Sequence, residues 1–148
     1  MNVKMGDYEI GQDNQVLTAM GLGSCVGVCL YDQDNQRAGL AHVMLPAEDG
    51  EESSKHADVL LDSVFTEMKN KGSHLSDLEV KIYGGASMFD NSFDIGERNI
   101  SSVKEEISSR GLNIAKEDTG GTKGRAIWLN CKNGNVVVRK SFTGNRKD

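Results

Sequence analysis

Two apolar runs separated by a short polar segment constrain this chain more than any other feature. The first is Val26-Gly-Val-Cys-Leu-Tyr31; Asp32 to Arg37 follows; then comes Ala38-Gly-Leu-Ala-His-Val-Met-Leu45. The first run alternates as a strand does. The second is strand-like and is stopped by Pro46, which cannot donate to a ladder. Together they predict a hairpin, and a hairpin fixes parity. Cys25 sits at the mouth of the first run and His42 lies inside the second. A loop with an even number of residues puts both side chains on one face, whereas an odd loop separates them. A four-residue loop over 32–35 sets Cys25 directly opposite His42, with Cβ atoms roughly 5 Å apart. A two-residue loop over 34–35 sets them on a diagonal, up to about 8 Å apart.

The remaining elements follow from periodicity. Residues 16–19 form a short strand. Residues 48–54 are an acidic loop, and 55–71 are the clearest helix. There Ala57, Leu60, Leu61, Val64, Phe65 and Met68 make one stripe, Ser53 or Ser54 caps the start and Gly72 ends it. Residues 79–83 read as a strand closing on Gly84-Gly85. A second helix is expected over 97–110, with Ile100, Val103 and Ile107 inward and Gly111 as the stop. Strands follow at 113–117, 126–130 and 135–140, with Asn133-Gly134 as a hairpin turn between the last two. The polar tail 142–148 is expected to fray. This is an α/β chain of mixed, largely antiparallel sheet with two main helices, without regular βαβ alternation over its whole length.

The 148 residues fit one domain, 1–148, able to bury a core without disulfides or metals. Seventeen glycines against one proline favour tight turns and close backbone approaches over disordered linkers. A net charge of −5 leaves no basic footprint for nucleic acid, and no stretch approaches a membrane span. The N-terminus has no apolar signal core. The expected location is therefore the cytoplasm, where a disulfide framework is not expected. An odd count of three cysteines leaves at least one thiol free.

Most strand cysteines are small core residues, and Cys29, between Val28 and Leu30, reads that way. Cys131 beside the hairpin turn reads as incidental. Four residues of extended chain span ~13 Å, too far for Cys25 and Cys29 to share a zinc ion or a disulfide. His42 changes the weighing for Cys25. An imidazole beside a thiol can take its proton and create a nucleophile. The turn Gly21-Leu-Gly-Ser24 lets backbone amides, those of Gly23 and Ser24 among them, approach a reacting carbonyl and stabilise an oxyanion. The target is then an acyl carbon: ester, thioester, peptide or carboxamide. His56 and His74 read as solvent-exposed. The stretch Tyr83-Gly-Gly-Ala-Ser-Met-Phe89 lacks the Gly-Lys-Ser/Thr of a P-loop and reads as a turn lining the pocket, which makes Gly84, Gly85 and Ser87 candidate substrate-binding positions. The glycine-rich stretch 117–125 reads either as a solvated loop or as a structured rim with Asp118 paired to Arg125.

Several motifs occur in order: Gly-Leu-Gly-Ser-Cys-Val-Gly-Val-Cys-Leu-Tyr-Asp, Gly-Leu-Ala-His-Val-Met-Leu-Pro, Lys-His-Ala-Asp, Tyr-Gly-Gly-Ala-Ser-Met-Phe, Ile-Gly-Glu-Arg-Asn and Glu-Asp-Thr-Gly-Gly-Thr-Lys-Gly-Arg. In combination they resemble the CheD family of chemoreceptor glutamine deamidases, over nearly the whole chain. The resemblance implies an α/β sandwich related to bacterial toxin deamidases and hydrolysis of receptor glutamine side chains to glutamate, with no metal or organic cofactor. It implies Cys25 as nucleophile and His42 as base and acid. Thr18 is the upstream threonine available to assist the histidine, although Ala19 stands nearer the family position. His56 replaces the aromatic residue usual in Lys-Tyr-Ala-Asp. The implied partners are the cytoplasmic domain of a chemoreceptor and, as a candidate, a CheC-type phosphatase. Two rival readings remain: a non-catalytic module that docks on such partners, and a thiol esterase or amidase acting on small molecules.

Overall fold

The computed structural model describes residues 1–46, 56–87 and 94–141. Eight strands, β1 (Tyr8–Gln12), β2 (Val16–Leu22), β3 (Val26–Asp32), β4 (Arg37–Val43), β5 (Glu79–Gly84), β6 (Ile114–Thr119), β7 (Arg125–Asn130) and β8 (Val136–Lys140), form two sheets. The larger has the order β1-β4-β3-β5-β6 and the smaller β2-β7-β8. Every pairing is antiparallel except β5 with β6. That parallel pair needs a crossover, which α2 (Ile95–Ser109) provides as the one βαβ unit among the described elements. The other helix, α1 (Ala57–Asn70), lies between β4 and β5 in sequence.

Three layers result. The stripe of α1 (Leu60, Leu61, Val64, Phe65, Met68) and Val103 and Ile107 of α2 pack on Val26, Val28, Leu30, Ala41, Val43, Val80 and Ile82 of the larger sheet. The other face of that sheet presents Cys25, Cys29, Tyr31, Ala38, Leu40 and Tyr83 to Leu17, Ala19, Leu22, Ile127 and Leu129 of the smaller sheet. Covered on both sides, β3 and β4 are buried at all their positions. This explains why they read as near-continuous apolar runs.

Both helices end as their glycines predict. Ser73 N–H bonds the Met68 carbonyl and Gly72 N–H that of Lys69; Leu112 and Gly111 repeat the pattern on Ile107 and Ser108. The start of α1 differs from expectation. Its N-cap is His56, without a side-chain cap. Leu45 bridges His56, and its carbonyl accepts the Ala57 N–H instead. Ser53, Ser54, the acidic loop and the tail 142–148 lie outside the described residues. The edge strand β1 goes unpredicted: it pairs with β4 alone, and only Gly11 of its five residues is buried, so it carries little apolar alternation.

Candidate active site

The β3–β4 register decides whether Cys25 and His42 can meet. Val26 pairs with Val43, Gly27 with His42 and Asp32 with Arg37. That is the even, diagonal register, although the turn opens to the four residues 33–36. Cys25 lies two residues before Gly27, on the same face as His42, at a diagonal distance of ~7–8 Å between backbones. Both residues are buried, at 6% and 1% exposure.

The imidazole is held at one nitrogen. His42 Nδ1 lies 3.1 Å from the Val3 carbonyl oxygen, and an acceptor there keeps the proton on Nδ1 and leaves Nε2 as the base. Nε2 is itself buried and has no partner among the described residues. Burial pulls the His42 pKa down, against the opposing effect of the Val3 carbonyl. Burial also pushes the Cys25 thiol up. Both shifts favour the neutral forms, thiol and imidazole.

Thr18 is not brought to the histidine by its side chain. On β2 it is half-buried and alternates with the inward-facing Leu17 and Ala19. Its backbone does reach the site: Val3 N–H donates to the Thr18 carbonyl at 2.7 Å, and Thr18 N–H to the Met1 carbonyl at 2.8 Å. Thr18 therefore holds the segment whose carbonyl holds His42. Sequence reasoning missed Val3, because a backbone carbonyl has no letter of its own.

The loop before Cys25 is pinned from outside. The Gly23 carbonyl accepts from Ala86 N–H and the Cys25 carbonyl from Gly85 N–H, both at 2.8 Å. Between them, the Ser24 carbonyl accepts from Asn99 Nδ2 at 2.8 Å. A Cβ on Gly84 would run into the Cys25 carbonyl oxygen, and one on Gly96 of α2 into that of Ala86. Both glycines are there because backbone lies against backbone. Among the expected substrate-binding positions, the Gly23 amide is used on Gly21, that of Gly85 on Cys25 and that of Ser87 on Gly121. Ser87 Oγ donates to Asp94. The Ser24 and Cys25 amides have no acceptor among the described residues. Asn99 was missed as an individual residue. Its signal was a polar residue on the inward stripe it shares with Val103 and Ile107.

The rim and the remaining residues fall as follows. Arg125 Nη2 pairs with Asp118 Oδ1 at 3.1 Å, so the stretch 117–125 is structured: it is the end of β6, a short loop over 120–124 and the start of β7. Cys29 is a core residue whose thiol burial pushes up to about 12, against the opposing field of Lys81. Cys131 is fully buried among the residues between the sheets, more than an incidental neighbour of a turn. His74 is exposed as expected. His56 is not: it is 6% exposed, with Nδ1 2.7 Å from the Pro46 carbonyl oxygen. Among the described residues no group of three or more His, Cys, Asp or Glu converges as metal ligands, and no helix is long and apolar enough to cross a membrane.

The CheD family, described as CheD chemotactic sensory transduction, matches residues 44–140. The chain belongs to the CheD family. A relative from Methanococcus vannielii, named probable chemoreceptor glutamine deamidase CheD, is 40% identical over 146 residues, covering 95% of this chain and 94% of its own. The chemoreceptor glutamine deamidase CheD of Thermotoga maritima is 38% identical over 141 residues, covering 93% and 90%. The match to residues 44–140 begins just after His42, whereas these longer CheD alignments span the segment that holds Cys25 and His42. Among solved structures, the crystal structure of Bacillus licheniformis hypothetical protein YfiH shares the fold, with a TM-score of 0.50 at 12% identity. The likeness covers 82% of this chain and 58% of that one.

Proposed function

We propose that this chain is a chemoreceptor glutamine deamidase in chemotactic adaptation, working through Cys25 and His42. The observation that carries the reading is the shared face of the β3–β4 ladder, with His42 Nδ1 occupied and Nε2 buried and unpaired among the described residues. The names of the relatives supply the substrate: a glutamine side chain on a chemoreceptor.

On this reading the reaction runs through the following steps. The Cys25 thiol gives its proton to His42 Nε2 as sulfur attacks the carboxamide carbon. The carbonyl oxygen becomes an oxyanion, facing the amides of Ser24 and Cys25. The C–N bond breaks, His42 returns the proton to the nitrogen, and ammonia leaves a thioester on Cys25. Water then attacks, again losing a proton to Nε2. The C–S bond breaks, the thiol is restored and glutamate remains. Thr18 and the Val3 carbonyl take part by orienting the imidazole. A CheC-type phosphatase belongs to the same reading, as a candidate second partner.

The test is mass spectrometry of a receptor cytoplasmic fragment after incubation. A gain of ~1 Da at particular glutamines is expected, lost in Cys25→Ala if that thiol is the nucleophile. Undiminished conversion by Cys25→Ala would overturn the reading.

A further inference from the structure

α2 carries a fully buried polar side chain to which the mechanism above gives no task. Asn99 has 0% exposure. Its Nδ2 donates to the Ser24 carbonyl at 2.8 Å and to the Met44 carbonyl at 3.2 Å. Its Oδ1 is buried and meets no donor among the described residues. Val103 and Ile107, one and two turns further on, show what this stripe otherwise holds. A buried carboxamide with half its capacity unmet is less favourable there than an aliphatic side chain. Packing therefore does not account for it, whereas its two acceptors do.

Ser24 directly precedes the nucleophile. Continuing the ladder beyond Val26 and Val43 puts Met44 opposite Cys25. One NH2 group thus closes the open end of the β3–β4 hairpin across the rung of Cys25 itself. The effect on the loop follows from peptide geometry. All the described peptide bonds are trans, so each carbonyl points opposite to the N–H of the same peptide unit. Of the three successive carbonyls held from outside, those of Gly23 and Cys25 are held by backbone donors. The middle one is held by a side chain, and its peptide unit carries the Cys25 N–H.

We propose that Asn99 is a positioning residue that holds the Ser24–Cys25 peptide so that the Cys25 N–H faces the developing oxyanion. No bond is made or broken at Asn99. The inference rests on the deamidase reading and adds to it a residue from a different layer of the fold.

The test compares two reactions of the same thiol in Asn99→Ser and Asn99→Asp, with Cys25→Ala as control. Asp keeps the shape of Asn but its carboxylate cannot donate to a carbonyl. Glutamine conversion on the receptor fragment passes through an oxyanion. Alkylation of Cys25 by iodoacetamide is a displacement at a tetrahedral carbon and passes through none, so it reports the thiol–imidazole pair alone. Both variants are expected to lose ~100-fold in kcat, the scale of one oxyanion donor. Their KM, alkylation rate and alkylation pH profile should stay within about threefold of the parent. Should Asn99→Asp fail to fold, Asn99→Ser decides. Parent-like kcat in a folded variant would overturn the proposal, as would alkylation falling in step with kcat. Full activity in Cys25→Ala would instead sink the deamidase reading, so the two failures are told apart.

Discussion

The β3–β4 hairpin carries buried polar groups at both ends, and the two ends treat them differently. At the turn, Asp32 Oδ2 accepts from Ser73 Oγ at 2.6 Å and from Asn35 Nδ2 at 2.8 Å. Arg37 Nη1 donates to Ser73 Oγ at 3.1 Å and stands 3.7 Å from the carboxylate. Of the fully buried side-chain polar atoms there, only Arg37 Nε lacks a partner among the described residues. At the open end, His42 Nε2 and Asn99 Oδ1 have no partner, and the Ser24 and Cys25 amides no acceptor, among the described residues. A closed network stabilises, and removing one member strands the others. An open one is costly in the resting protein, and in the deamidase reading a substrate completes it.

The sharpest way to break this comparison is to remove one group at each end. Cys25→Ala should abolish glutamine conversion, by at least about 10³-fold. Its denaturation midpoint should barely move, since no described hydrogen bond depends on that thiol. Asp32→Ala should do the reverse. It strands Arg37 in a buried setting and should cost about 3–5 kcal/mol in denaturant unfolding. The folded fraction should keep kcat within about threefold. Loss of activity without loss of stability at the turn would collapse the distinction.

Acid separates the ends more finely. The His42 pKa is lowered in the fold from an ordinary 6.5. Below that value the unfolded chain takes the proton first, so its contribution to stability is full above pH 6.5 and falls away below it. At Asp32, burial raises the pKa, but the bonds from Ser73 and Asn35 and the charge of Arg37 outweigh it and leave the carboxyl below its ordinary 3.8. Its contribution is full above pH 3.8 and is lost below. Urea titrations should therefore show a stability slope of at most ~1.4 kcal/mol per pH unit below 6.5 that His42→Gln removes. A second loss should begin below about pH 4 and be absent in Asp32→Ala. The same lowered imidazole predicts that the acid limb of kcat/KM lies below 6.5. The smallest effect expected is that of Cys29→Ala. It sits on the face of Cys25 but serves as core, and should cost about 1 kcal/mol with activity within about twofold.

The hairpin was legible because side-chain parity is written in the sequence: of the loops the two apolar runs allow, an even one puts Cys25 and His42 on one face, and the observed register is even. The stripe of α1 and the glycine stops of both helices were legible for the same reason of period. What the sequence hid was work done by the backbone or from a distance. The Val3 carbonyl reaches His42 across 39 residues, and Asn99 reaches Ser24 across 75. The burial of His56 follows from a bridge to Leu45 that no local pattern announces. Thr18 was singled out for a hydroxyl, yet its contact with the site runs through its main chain.

The fit of Gly84 and Gly96 against neighbouring carbonyls has a consequence for how such an enzyme could diverge. The floor beneath Cys25 is mainly backbone on backbone, and Asn99 is the side chain that reaches into it. New substrate preferences would arise more readily at the rim, in the loop 120–124, where a Cβ added at Gly120 or Gly121 meets nothing within 4 Å, although their positive φ favours glycine. Divergence would keep the reaction and change the clientele.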